Sequence, residues 1–167
     1  AAALAYLAKK QHDAVGTIIF AQSVREVIPP STRSDALARL YACLERQEAQ
    51  DTTSVGGALQ QLTSVSSRRG LVAVLSDFYT DPESFLASLQ PLAQSQQDIV
   101  LFQIVDPHEI NPRYDSVMAL RDMESGEQLD VDPQWLQSEY RERFEAHCEK
   151  LKNAALGVGA DYLRLSS

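Results

Sequence analysis

A chain of 167 residues and 18.5 kDa is long enough for one well-buried core and too short for two ordinary domains, so 1–167 reads as a single domain. A net charge of -8 and an isoelectric point near 4.8 exclude a nucleic-acid partner, whose phosphates demand clustered Lys and Arg. The densest basic pair, Arg68-Arg69, is better explained as the solvated start of a strand. No run reaches the ~18 apolar residues of a membrane span, and no membrane contact by this segment is expected. The Ala-rich opening carries Lys9 and Lys10 after its apolar run, whereas a signal peptide carries its charges before. Cys43 and Cys148 lack metal-ligand spacing and read as small core residues of a reduced, cytoplasmic protein. The sequence has no initiator Met and is expected to begin inside a longer gene product.

In chain order, Ala1 to about Gln11 places Leu4, Leu7 and Ala8 on one helical face. Ala14 to Phe20 and Val24 to Ile28 follow as two strands. The short Ala21-Gln22-Ser23 link makes them an antiparallel hairpin, and Pro29-Pro30 is expected to stop the second. Ser34-Asp35 opens a helix bearing Leu37, Leu40, Tyr41 and Leu44. After the polar stretch Gln47 to Asp51, Thr52-Thr53-Ser54 caps a helix with Ala58, Leu59, Leu62 and Val65.

The run Leu71-Val72-Ala73-Val74-Leu75 is then five apolar residues closing on Ser76-Asp77, which reads as a strand buried on both faces. Asp81-Pro82 starts a helix with Phe85, Leu86, Leu89 and Leu92. Ile99 to Val105 repeats the pattern of apolar strand and terminal carboxylate, here Asp106 before Pro107. Ser116 to Val131 reads as a surface hairpin turning at Glu124-Ser125-Gly126-Glu127. Asp132-Pro133 starts the longest helix, with Leu136, Tyr140, Phe144, Cys148, Leu151 and Ala155 along one side. Gly157 and Gly159 end it before a last strand at Tyr162 to Leu165. The order predicts an α/β fold, a mostly parallel Rossmann-like sheet covered by helices on both faces, with one antiparallel edge strand.

The motifs of several chemistries are missing. Gly157-Val158-Gly159 lies between helix and strand and lacks the third glycine of a dinucleotide loop, and neither GxxxxGK[ST] nor GxSxG occurs. His12, His108 and His147 are scattered, without an i, i+4 pair. What remains is Thr53 at a helix-opening loop, Ser76 and Asp77 closing one strand, and Asp106 closing the next. The carboxyl rim of an open α/β sheet is where ligands bind. Hydroxyl and carboxylate oxygens there suit Mg²⁺, which takes one or two carboxylates and keeps several waters. The plainer account of the same residues is a helix N-cap at Thr53 and turn residues at Asp77 and Asp106.

The segments Asp13 to Phe20, Thr53 to Leu59, Leu75-Ser76-Asp77-Phe78, Val105-Asp106-Pro107, Arg121 to Gly126 and Gly159-Ala160-Asp161-Tyr162 occur in an order and spacing that resembles bacterial domain-of-unknown-function family fifty-eight. Members of that family resemble the von Willebrand factor A domain, whose metal-ion-dependent adhesion site combines a first-strand Asp-x-Ser-x-Ser, a loop Thr and a later strand-end Asp. The resemblance puts Thr53 at the Thr and Asp77 at the strand-end Asp, a partial site expected to be empty in this segment because Asp-x-Ser-x-Ser is not in the sequence. It implies Mg²⁺ only in the full-length chain.

It also implies a non-enzymatic adaptor working with a MoxR-type AAA ATPase in protein-complex assembly or maturation. The alternative is a metal-dependent hydrolase or phosphoryl-transfer enzyme on the same rim, with His108 as the best-placed base. In the von Willebrand plan the first strand lies between those at Val15 to Phe20 and Leu71 to Leu75. Without it, the two are expected to close up and pair directly, or to recruit a second copy as a homodimer.

Overall fold

The computed structural model describes residues 1–21, 23–47, 58–59, 62, 69–107, 118–121, 128–131 and 139–166. The chain divides into two compact units, Ala1–Arg69 with Ala87–Gln96 and Gly70–Leu86 with Gln97–Ser167.

The first unit opens with helix α1, Ala2–Lys10, whose last turn carries Lys9 and Lys10 at the negative end of the helix dipole. Strands β1, Val15–Phe20, and β2, Val24–Ser31, pair antiparallel. Pro29-Pro30 does not stop β2 as expected. Val15 stands opposite Ser31 and Thr17 opposite Ile28, so Gly16 alone faces both prolines across a bulge. A bulge is one of the few places in a ladder where a residue without an N–H is tolerated.

Helix α2, Ala36–Glu45, follows. Its buried stripe is Ala36, Leu40 and Cys43, whereas Leu37, Tyr41 and Leu44 are only half-buried. The buried stripe is centred one residue before the apolar periodicity, because the small Ala36 and Cys43 face the core. The expected helix after Thr52-Thr53-Ser54 lies outside the described residues apart from Ala58 and Leu59, which are buried, and Leu62.

The second unit is built on strands β3, Leu71–Ser76, and β4, Asp98–Val105, joined through helix α3, Pro82–Gln94. As read from Asp81-Pro82, Asp81 caps α3: the Ser84 backbone N–H and hydroxyl both donate to Asp81 Oδ2 at 2.9 Å. Those two bonds hold the Asp81 carboxyl below the usual 3.8. The capping contribution is therefore complete above pH 3.8 and lost as pH falls through the lowered value.

Strands β5, Met118–Arg121, and β6, Gln128–Val131, pair antiparallel within the stretch read as a hairpin. Helix α4, Arg141–Gly157, buries Phe144, Cys148, Leu151 and Ala155, as the spacing predicts, and its expected start at Asp132-Pro133 lies outside the described residues. Gly159, at φ +79°, turns the chain into strand β7, Asp161–Ser166.

β3, β4 and β7 form a parallel sheet in that order. One face is closed: Val72 and Val74 of β3 align with Ile99 and Leu101 of β4, and all four are buried. The alternate residues Ala73, Val100, Phe102 and Ile104 are only half-buried, and Leu163 and Leu165 on the edge strand are 44% and 43% exposed. The strands are therefore not buried equally on both faces, as their continuous apolar runs had suggested.

Nor do β1 and β3 pair directly. Among the described residues the ladder of β1 runs to β2 and that of β3 to β4, so the antiparallel pair is a sheet of its own.

Candidate functional site at the sheet rim

At the carboxyl end of β3 the chain leaves the sheet through Asp77-Phe78-Tyr79-Thr80. Phe78 has φ +54°, a conformation uncommon for a bulky side chain. Its buried ring lies 5.2 Å from that of Phe85, and this packing offsets the strain. Polar bonds hold the turn on every side. The Phe78 N–H donates to Ser76 Oγ at 3.1 Å, the Tyr79 N–H to Asp77 Oδ1 at 3.2 Å and the Thr80 N–H to the Phe78 carbonyl at 2.7 Å. The Ser76 hydroxyl lies 3.3 Å from Asp77 Oδ1.

Two distant side chains complete the clamp. From α4, His147 Nε2 lies 3.1 Å from the Phe78 carbonyl. A carbonyl only accepts, so this nitrogen carries the hydrogen. From β4, Gln103 Nε2 donates to the Asp77 carbonyl at 3.0 Å, while its Oε1 accepts from the Tyr162 hydroxyl of β7. Gln103 is 1% exposed and is the sole buried polar side chain among the described residues. Both ends of its amide are satisfied, as burial requires. Two consecutive peptide carbonyls are thus gripped from the interior, and the side chains of Asp77 and Tyr79 are left facing outward, both exposed.

Burial, followed by the neighbouring Cys148, pushes the Tyr162 phenol from 10.0 up to about 12. A raised value means the fold holds the neutral phenol. Its stabilisation is complete below pH 10 and is lost as pH rises through about 12. Denaturation midpoints are expected to fall across that interval, and Tyr162→Phe to flatten the decline. An identical pH profile in the variant would assign the titration to another group.

Of the residues singled out from sequence, Ser76, Asp77 and Asp106 share one rim: the parallel register sets Ser76 beside Gln103, and Asp106 directly follows β4. Thr53 and His108 lie outside the described residues. His12, at φ +64°, sits in the turn after α1, in the first unit. Sequence reasoning weighed His147 and set it aside, and it missed Gln103, Tyr79 and Tyr162. Gln103 alone left a signal, as a polar residue in an otherwise apolar strand at a position aligned with the buried face.

A divalent cation does not fit what is described. No group of three or more His, Cys, Asp or Glu side chains stands together among the described residues. Of the oxygen donors expected, Ser76, Asp77 and Asp106 are described and Thr53 is not, and Asp77 Oδ1 accepts from the Tyr79 N–H. Among the described residues the rim is a hydrogen-bonded turn that leaves the Asp77 and Tyr79 side chains exposed.

A three-stranded parallel sheet with helices and a polar carboxyl rim, beside a separate antiparallel pair, defines an α/β fold. The family model described as protein of unknown function DUF58 matches residues 1–154, and the chain belongs to that family. It is similar to the crystal structure of the conserved hypothetical protein BatB from Bacteroides thetaiotaomicron, with a TM-score of 0.59 and 16% identity over 99% of this chain and 79% of that one. It is also similar to an aerotolerance-related membrane protein from Bacteroides fragilis NCTC 9343 with multiple mutations to serines, with a TM-score of 0.58 and 19% identity over 97% of this chain and 79% of that one. At these identities the likeness is one of fold. No curated protein matches the chain. Among the described residues, no helix is long and apolar enough to cross a membrane.

Proposed function

We propose that this chain is a protein-interaction module without catalytic activity of its own, acting as an adaptor to an AAA ATPase of the MoxR group in the assembly or maturation of protein complexes. The observation that carries the reading is how the rim is built. Gln103 and His147 spend their polar atoms on the backbone carbonyls of Asp77 and Phe78, which fixes an outward-facing loop. An enzyme would instead set a base within reach of a nucleophile or a bound water. A loop held on a rigid sheet is a common way to present a recognition surface. The family's resemblance to von Willebrand A domains, which bind partners at the same rim, supports the same reading.

The test is retention of a purified MoxR-group ATPase on the immobilised chain, read beside turnover of generic phosphate and ester substrates with and without Mg²⁺. The adaptor reading expects saturable retention and no turnover. Metal-dependent turnover abolished by His108→Ala, or failure to retain the ATPase, would overturn it.

A further inference from the structure

We infer that the exposed Tyr79 ring, tilted against the His147 ring on this rim, is a docking surface for an arginine side chain of a basic protein segment. The inference rests on the interaction-module reading and names the chemistry of the partner. Tyr79 is 68% exposed, in a chain that buries Phe78 and Phe85 on either side of it in sequence. It does not hang from a loose loop. Its own N–H is tied to Asp77, the carbonyl before it accepts from both Thr80 and His147, and its ring lies 6.1 Å from the His147 ring at an interplanar angle of 34°. An aromatic ring held this way offers contact area at little further cost in conformational freedom, the property of an interface anchor.

The surrounding charge selects the occupant. From Gly70 to Pro112 the sequence contains Asp77, Asp81, Glu83, Asp106 and Glu109, with Asp98 at the opposite end of the sheet, and not one Lys or Arg. Asp77, Asp81 and Asp106 are exposed at or just beyond the carboxyl ends of β3 and β4. On α4, Arg143 stands one turn before His147 but is paired with Glu139 at 2.9 Å, and the exposed Lys150 after it is adjacent in sequence to Glu149. A negative field around an exposed aromatic ring disfavours acidic and phosphate-bearing partners and leaves a plain apolar partner with unmatched carboxylates. A lysine would answer the charge alone. A guanidinium answers both, since it stacks on the ring face and forks its N–H groups to a carboxylate.

The test uses fluorescence anisotropy of the full chain with three labelled peptides of one length, with Gly alternating with Arg, Lys or Glu. The Arg peptide is expected to bind several-fold more tightly than the Lys peptide, and the Glu peptide not at all. Tyr79→Ala is expected to weaken the Arg peptide by about tenfold, the size of one partly desolvated cation–π contact, and to erase the preference for Arg over Lys. Tyr79→Phe should keep that preference. Asp77→Asn retains the oxygen that accepts from Tyr79 and removes the charge, so it should weaken both basic peptides alike. Should Tyr79→Ala fail to fold, Tyr79→Leu keeps the bulk without the π face and is read in its place. Equal affinity for Arg and Lys peptides, or an unchanged affinity in the Tyr79 variant, would overturn the inference. ATPase retention measured on the same variants judges the adaptor reading separately, since it stands if retention survives the loss of the arginine preference.

Discussion

Gln103→Leu is expected to lower the free energy of unfolding by about 3 kcal/mol, although leucine nearly matches glutamine in volume and sits well in a strand core. The loss comes from what the amide leaves behind. Gln103 donates to the Asp77 carbonyl and accepts from the Tyr162 hydroxyl, and at 1% exposure no water replaces it. Each buried group deprived of its partner costs about 1 to 3 kcal/mol, which outweighs the gain from burying a more apolar side chain.

A double-mutant cycle separates this account from simple mispacking. Tyr162→Phe alone removes one partner and strands Gln103 Oε1, so it should be costly. In the Gln103→Leu background the same change should cost little, since the hydroxyl has already lost its acceptor. Urea unfolding of the four proteins checks this. Additive losses, or a Gln103→Leu cost below about 0.5 kcal/mol, the level of an ordinary surface substitution, would show that the network does not act as a unit. The consequence for the rim is direct, because the same amide fixes the carbonyl of Asp77 and with it the turn that presents Tyr79.

How far the sequence reveals this arrangement depends on the range of the interactions involved. The strands at Leu71 and Ile99 and the helix start at Asp81-Pro82 are legible because period, branching and capping are local properties, decided within a few residues. Asp77 and Asp106 are legible as rim residues because a polar residue closing an apolar strand must emerge at its end. The clamp behind them is different in kind. His147 meets Phe78 across a separation of 69 residues, Tyr162 meets Gln103 across 59 and Gln103 meets Asp77 across 26. Nothing in the local pattern says which histidine or tyrosine will arrive at the turn.

The same distinction explains α2. Periodicity establishes that a helix has an apolar side, but the centre of that side is set by the neighbour it meets, and here the small Ala36 and Cys43 are the residues turned inward. Cys43 is fully buried, and burial pushes its thiol up, which suits the inert core role read from its spacing.

Gly16→Ala is expected to destabilise the β1–β2 pair by about 3 kcal/mol, at the upper end of what added bulk costs in a packed interior. Addition of a single methyl group is usually tolerated in a strand, where alanine even loses less conformational freedom than glycine on folding. Here the methyl has no room. A Cβ at Gly16 would stand 2.6 Å from the Ile28 carbonyl oxygen, 2.7 Å from the Pro30 nitrogen and 3.0 Å from the Pro29 carbonyl carbon. All three are backbone atoms, so no side-chain rotation relieves the contact, and relief requires the strands to separate where their register already shifts. The two prolines make separation harder, because each has a fixed φ and neither can supply an N–H to a rearranged ladder. The clash therefore falls on the Val15–Ser31 end of the pair, and that end should open first. Hydrogen exchange of the β1 amides is the informative measurement: in Gly16→Ala, protection near Val15 and Thr17 should fall well before that at Ile18 and Ile19. A variant with wild-type stability and unchanged protection would mean that the bulge yields easily. In that case glycine is not what allows the two prolines to remain within the strand.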